Sequence, residues 1–325
     1  MQTDASLYRA TLKRAWRTTR TYPHVWVLGF FAALLGNGGE FEFVVTQFNK
    51  LSSGDVFFGE SLLAMFGTGG STVISAMADM LRRISDDALL LGAAAFGALA
   101  VLWFVVSSQG AIIHAAAQPK AGSLGSHFAA ARRSFWQILW ILLGTRLLAL
   151  FVLGVVGMPI AALLLYFTDP VKSLALVSFC LGIPLLMVAS VISKYAIAYR
   201  MLERRDVRSS VARGISLFAD HWLVSVELIL TLFVVNVAVG GAVILGILAL
   251  SAPFLMLAGA FGEGVATNVF LALGQLFGFL LLVVMGSILA TFQYASWTEL
   301  FLRISRERHL SKVVRTIMGW HKKYR

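Results

Sequence analysis

Charge is what this sequence has least of. Only 13% of its 325 residues are Asp, Glu, Lys or Arg, against roughly 25% in a water-soluble chain. Hydrophobic residues make up 58%, and the mean hydropathy is +0.81. A chain so poor in charge is too apolar for water, which leaves a polytopic α-helical membrane protein. Cysteine is nearly absent too. Cys180 stands alone, so neither an intrachain disulfide nor a cysteine metal site is possible. Lying in an apolar run, it reads as a small buried hydrophobe. No histidine pair has metal-ligand spacing, and no Ser/His/Asp set has a recognisable context. His114 lies well inside an apolar span and reads as core packing, while His24, His127, His221, His309 and His321 sit at borders or in tails. The glycines of NGGE and GTGG lack a lysine partner and a strand-to-helix setting, so they are not phosphate loops. Enzyme chemistry, metals and cofactors are therefore not expected.

What is present is a set of long apolar runs, near 22–36, 88–117, 135–166, 173–199, 221–250 and 268–302. The net charge of +11 invites a nucleic-acid reading, but its distribution argues against one. Twenty-one of the 27 basic residues fall in residues 1–24, 118–134, 200–214 and 303–325. The alternate segments hold only Lys50, Arg82, Arg83 and Lys172, together with nine acids. That asymmetry is the positive-inside pattern. It predicts six crossings with both termini cytoplasmic. A signal-peptide reading of the first 40 residues fails for want of a small-x-small cleavage site.

Two cues recur three times. Each outward-going span opens with an aromatic pair one helical turn apart, Tyr22/Trp26, Trp136/Trp140 and Phe218/Trp222, with arginine upstream. Such a pair shares one helix face and suits the membrane interface. The inward-going spans carry Gln109-Gly110-Ala111, Lys194-Tyr195-Ala196 and Gln293-Tyr294-Ala295 near their cytoplasmic ends. The reading is one integral membrane domain, 1–325, of three parallel helical hairpins around an axis along the membrane normal. Repeat 1 covers 1–118 with an outer segment 37–87, repeat 2 covers 119–205 and repeat 3 covers 206–302, followed by a tail, 303–325. Mitochondrial carriers share the three-hairpin plan, but none of the six prolines begins their acid-then-base motif.

The entry LKRAWRTTRTYPHVWVLGFFAALLGNGGEFE, with ARRSFWQILWILLGTRLL and ARGISLFADHWLVSVELIL, resembles a group of bacterial multi-pass proteins. These are related to the membrane domain attached to some glycerophosphodiester phosphodiesterases. The resemblance implies a bacterial inner-membrane location. It implies no phosphodiesterase activity, since the His-Arg-Gly entry motif of the catalytic barrel is missing.

Ionisable groups inside a bilayer are functional candidates by default. Arg146, Lys194 and Glu227, with Gln109 and Gln293, all fall in the cytoplasmic half of their spans. They form a candidate polar layer. Arg146 and Lys194 suit an anionic group such as a lipid phosphate, or Arg146 and Glu227 pair to hold helices together while Lys194 snorkels. Asn236 and the Gly274-x3-Gly278 pair read as packing devices, and Pro159 and Pro184 as kinks. On the outer side, Asn37, Glu40 and Glu42 interrupt the first span after little more than ten apolar residues. They mark either a helix stop or an outer polar entrance. The segment 37–87 reads as short helices on the outer leaflet, or as a re-entrant loop, and 251–267 as an apolar Gly-rich loop. The tail places Leu310, Val313, Val314, Ile317 and Met318 on one stripe among basic residues. It suits anionic lipid or a cytosolic protein partner. Function is expected in transport or lipid handling through the polar layer, with a non-catalytic membrane scaffold as the alternative.

Overall fold

The computed structural model describes residues 5–34, 88–118, 123–164, 176–261 and 264–305. They are all-α. In chain order they form α1 (Ala5–Thr21), a 3₁₀ turn (Pro23–Val25), α2 (Trp26–Leu34), α3 (Ala88–Ala117) and α4 (Leu124–Arg133). Then come α5 (Phe135–Val152), a π turn (Leu153–Gly157) and α6 (Met158–Leu164). A second π turn (Ser178–Gly182) leads into α7 (Ile183–Glu203), followed by α8 (Val207–Asp220), α9 (Trp222–Ala260) and α10 (Val265–Ile304). Five stretches are long and apolar enough to cross a membrane: Gly92–Ala117, Phe135–Leu164, Cys180–Glu203, Trp222–Ala260 and Val265–Ile304. Pro23–Leu34 is apolar but shorter. Length and composition mark the chain as membrane-embedded.

Three times, a short helix with basic residues ends in a break and an apolar helix begins. Between α1 and α2 the break is Tyr22 followed by Pro23, which starts the 3₁₀ turn because a proline needs no N–H partner there. Between α4 and α5 it is Ser134 (φ −106°, ψ 15°), and between α8 and α9 it is His221 (φ −130°, ψ 30°). The last two have nearly the same non-helical backbone, and each ends one helix and opens the next. α8 is capped at its start by Asp206, which accepts hydrogen bonds from the backbone N–H and hydroxyl of Ser209. Those bonds hold the exposed Asp206 carboxyl below the usual carboxylate range.

The main core lies at one end of the bundle, where α3, α7 and α10 meet. Every residue of 105–113, 195–199 and 290–301 is buried. α10 is enclosed there by α1, α2, α3, α7 and α9. Small residues permit the approach. A Cβ on Gly29 of α2 would collide with the Ser287 carbonyl and the Thr291 hydroxyl of α10. A Cβ on Gly214 of α8 would lie 3.1 Å from the Ile192 carbonyl oxygen of α7.

Above this base, among the described residues, α9 packs on α10 and the α5 span on the α7 span. α9 meets α10 through Gly274 and Gly278, whose added Cβ atoms would lie 3.2 Å from Phe254 and from Ile247. The two π turns meet at a second small core of Leu153, Val177 and Ile183. Each π turn ends in Gly-x-Pro, Gly157-Met158-Pro159 and Gly182-Ile183-Pro184. The missing proline N–H is thus absorbed by local widening of the helix.

Two expectations need correcting. Residues 251–267 are not a loop. α9 runs through Pro253 to Ala260, and α10 begins at Val265. Proline is tolerated inside membrane helices because neighbouring groups re-satisfy the backbone, and an apolar, Gly-rich composition does not separate such a helix from a loop. Cys180 is not buried; it lies exposed on the second π turn.

Candidate functional site

The three echoed tripeptides fall at one place. Gln109-Gly110-Ala111, Tyr195-Ala196 and Gln293-Tyr294-Ala295 are buried in the main core, and Lys194 is half-buried beside them. The members of the candidate polar layer face different neighbours. The Gln293 amide donates to Asn236 Oδ1, tying α10 to α9. Lys194 donates to Ser190 Oγ at 3.0 Å and lies 5.3 Å from the ring centre of Trp297. Arg146 is half-buried on α5, and Glu227 is half-buried on α9. Among the described residues the ion pairs are Arg14–Glu299 at 3.4 Å and Arg205–Glu203 at 2.7 Å; Arg146–Glu227 is not one of them. Asn37, Glu40 and Glu42 lie outside the described residues, as do the tail beyond Ser305 and the whole outer segment 37–87.

Most hydroxyls in this layer are spent locally. Thr145, Ser193, Ser225, Thr291, Ser296 and Thr298 each donate to the carbonyl four residues back. Such back-bonding satisfies the donor without a ligand. Across helices, Tyr195 donates to Ser225 at 2.8 Å, and the Thr145 and Ser193 hydroxyls lie 2.6 Å apart. Ser107 and Ser108 are buried hydroxyls with no hydrogen-bond partner. The arrangement holds helices in register.

Three features escaped the sequence reading. Glu299 is 5% exposed, and it anchors α1 to α10 through Arg14. It sits so near the apolar run's end that it reads as a border charge. His114 and His127 come together, Nδ1 to Nδ1 at 2.9 Å, although their spacing of 13 gives no helical signal. The third is an apolar groove of about 330 Å³ between α9 and α10 in their outer parts. Ile247, Phe254, Leu271, Gly278 and Leu282 line it, with Ser251 and Gln275 as its polar members. The paired glycines Gly274 and Gly278 were its one legible signal.

Around the base, Trp16, Trp136, Trp140 and Trp222 are each about half exposed, while the Trp26 indole donates to the Thr19 carbonyl at 2.9 Å. Exposed basic residues share this end, among them Arg132, Arg133 and Arg213. Fold and site together define an all-α membrane protein with a tightly packed base and an apolar lateral groove. No family model, curated protein or solved structure matches the chain.

Proposed function

We propose that the protein handles lipid in the inner membrane, and that the groove between α9 and α10 seats an acyl chain. The groove's position carries this reading. It lies on two helices that are apolar along their length, so the medium facing it is hydrocarbon. The groove offers about 330 Å³ of apolar space to a chain, and Ser251 and Gln275 to a polar linkage. In the polar layer where transport was expected to act, Gln293 is bonded to Asn236 of α9 and Lys194 lies over Trp297 of α10. That layer serves this proposal as the fixed base.

The finer architecture belongs to the same proposal. Three repeats and six crossings fit three short basic helices, each broken before an apolar one, and three similar tripeptides in the main core. Cytoplasmic termini put the arginine-rich, tryptophan-ringed base against anionic headgroups. The resemblance to phosphodiesterase-linked membrane domains fits a non-catalytic, lipid-facing role.

Native mass spectrometry of the purified protein tests the reading. A phospholipid retained by the wild type, and lost from Leu271→Trp and Leu282→Trp, supports it. These residues form the groove wall, and enlarging them fills the groove without entering the main core. An unchanged lipid complement in both variants would overturn it. The densely packed base favours a second reading, a membrane scaffold. A fixed oligomer free of lipid supports that one.

A further inference from the structure

The three junctions where a basic helix meets an apolar one differ in what surrounds their arginines. From 88 to 168 the sequence has no Asp or Glu, but it has Lys120, Arg132, Arg133 and Arg146. α4 ends in Arg132 and Arg133, both exposed. Among the described residues neither is in an ion pair. Acids on the neighbouring elements are engaged elsewhere: Glu203 pairs with Arg205 at 2.7 Å, and Asp206 and Asp220 accept from Ser209 and Ser216. At the first junction Arg14 is paired with Glu299 of α10. At the third, α8 brings two acids of its own, Asp206 at its cap and Asp220 at its end. The middle junction has neither form of compensation.

α5 continues from that charge with an exposed stripe. Trp136 is 65% and Trp140 58% exposed. Neither indole N–H has a hydrogen-bond partner among the described residues, unlike that of Trp26, which donates to the Thr19 carbonyl. One turn further, Gly144 is also exposed, and nothing lies within 4 Å of a Cβ added there. Leu147, Leu148 and Phe151 complete the stripe. Steps of three and four keep these residues on one face, turned from the buried Ile138, Ile141, Thr145 and Ala149. The glycine leaves a notch between the Trp140 ring and the leucines. From Trp140 to Phe151 the helix rises about 16 Å, close to one leaflet of a hydrocarbon core roughly 30 Å thick.

We infer that the α4–α5 junction binds one anionic phospholipid. Arg132 and Arg133 hold its phosphate, with charged donors meeting an oxyanion. The indole N–H groups of Trp136 and Trp140 serve its ester region, at the depth these rings prefer. One acyl chain lies along the notch at Gly144. Two arginines without a paired carboxylate favour an anionic headgroup over a zwitterionic one, whose ammonium they repel. The site is on other helices than the groove between α9 and α10 and does not rest on it.

Native mass spectrometry of the full-length protein in detergent tests this, with phosphatidylglycerol and phosphatidylcholine of the same chains as probes. The wild type should bind one phosphatidylglycerol in preference to phosphatidylcholine. In Arg132→Gln/Arg133→Gln that binding should weaken roughly 30-fold, the loss of two basic contacts at a membrane surface. Arg132→Lys/Arg133→Lys should keep most of it. Gly144→Leu, whose added Cβ meets nothing within 4 Å, should weaken the binding of both lipids. Leu271→Trp fills the other groove and should leave the preference unchanged, so the two readings fail separately. Equal binding of both lipids by the wild type overturns the site, whether or not any variant folds. So does an undiminished preference in the glutamine pair, or an equal loss in Arg208→Gln/Arg213→Gln on α8.

Discussion

The two ends of α10 show opposite kinds of packing in one helix. Residues 290–301 are buried on every side, whereas Val265 is 81% exposed and Phe279 is 62% exposed. α9 repeats the contrast, with Leu228 wholly buried and Leu245 68% exposed. In α10 the exposed end is rich in Leu and Val, whereas 290–301 holds a single leucine and no valine. The packed end of α10 has Ala, Ser, Thr, Gln and Tyr among its large side chains. In a lipid solvent leucine gains little from leaving hydrocarbon, and association rests on close contact and interhelical hydrogen bonds. Small and polar residues thus mark where membrane helices join, and leucine-rich stretches mark where they face lipid.

The largest effect should come from closing the tightest approach. Gly29→Leu forces a side chain into the Ser287 carbonyl, part of a backbone that cannot rotate away. Overpacking alone costs about 1–3 kcal/mol, and the loss here should be large enough to abolish a monodisperse peak in size-exclusion chromatography. Gly241→Leu is the outer counterpart; nothing lies within 4 Å of its added Cβ, and it should purify normally. Equal behaviour of the two would erase the contrast between the ends.

Leu228→Ala should follow, lowering stability by about 2 kcal/mol, the low end of large-to-small losses. Lipid also solvates leucine in the unpacked state, which removes part of the usual transfer term. Leu245→Ala should stay within about 0.5 kcal/mol of wild type. Thermal unfolding in one detergent compares the pair directly.

Tyr195→Phe removes the cross-helix bond to Ser225 and should cost about 1 kcal/mol. Ser225 keeps its own bond to the His221 carbonyl, so no donor is stranded. A loss much above that would mean the tyrosine organises more than this contact. Of the disruptive changes the smallest effect is that of Arg14→Ala, which should cost about 1 kcal/mol or less, because the side chain is 68% exposed and solvent screens it. Added salt should shrink the difference further, which the same melting assay reads.

How much of this was legible follows from what each signal depends on. Apolar runs depend on local composition, and they located the long helices to within a few residues except where α9 continued through Pro253. The tripeptides Gln109–Ala111, Lys194–Ala196 and Gln293–Ala295 located the core level, because small and polar residues inside a span have few other uses. Their contacts were not legible. Whether Lys194 meets a phosphate or the face of Trp297 depends on helix rotation, which no spacing within one span encodes. The His114–His127 contact depends on how α4 folds back on α3, and the groove depends on α9 and α10 together.

The paired π turns also settle a matter of phase. The buried residues of the α5 span are Ile138, Ile141, Thr145, Ala149, Leu153 and Gly157, four apart after the first step. In an α-helix each four-residue step overshoots a full turn by about 40°. Such a seam drifts around the helix, and following it would wind α5 and α7 about each other. A π turn, with its wider i to i+5 bonding, undershoots instead and brings the seam back toward its partner. α5 and α7 can therefore stay in contact as far as their π turns without supercoiling, as two struts rather than a twisted cable.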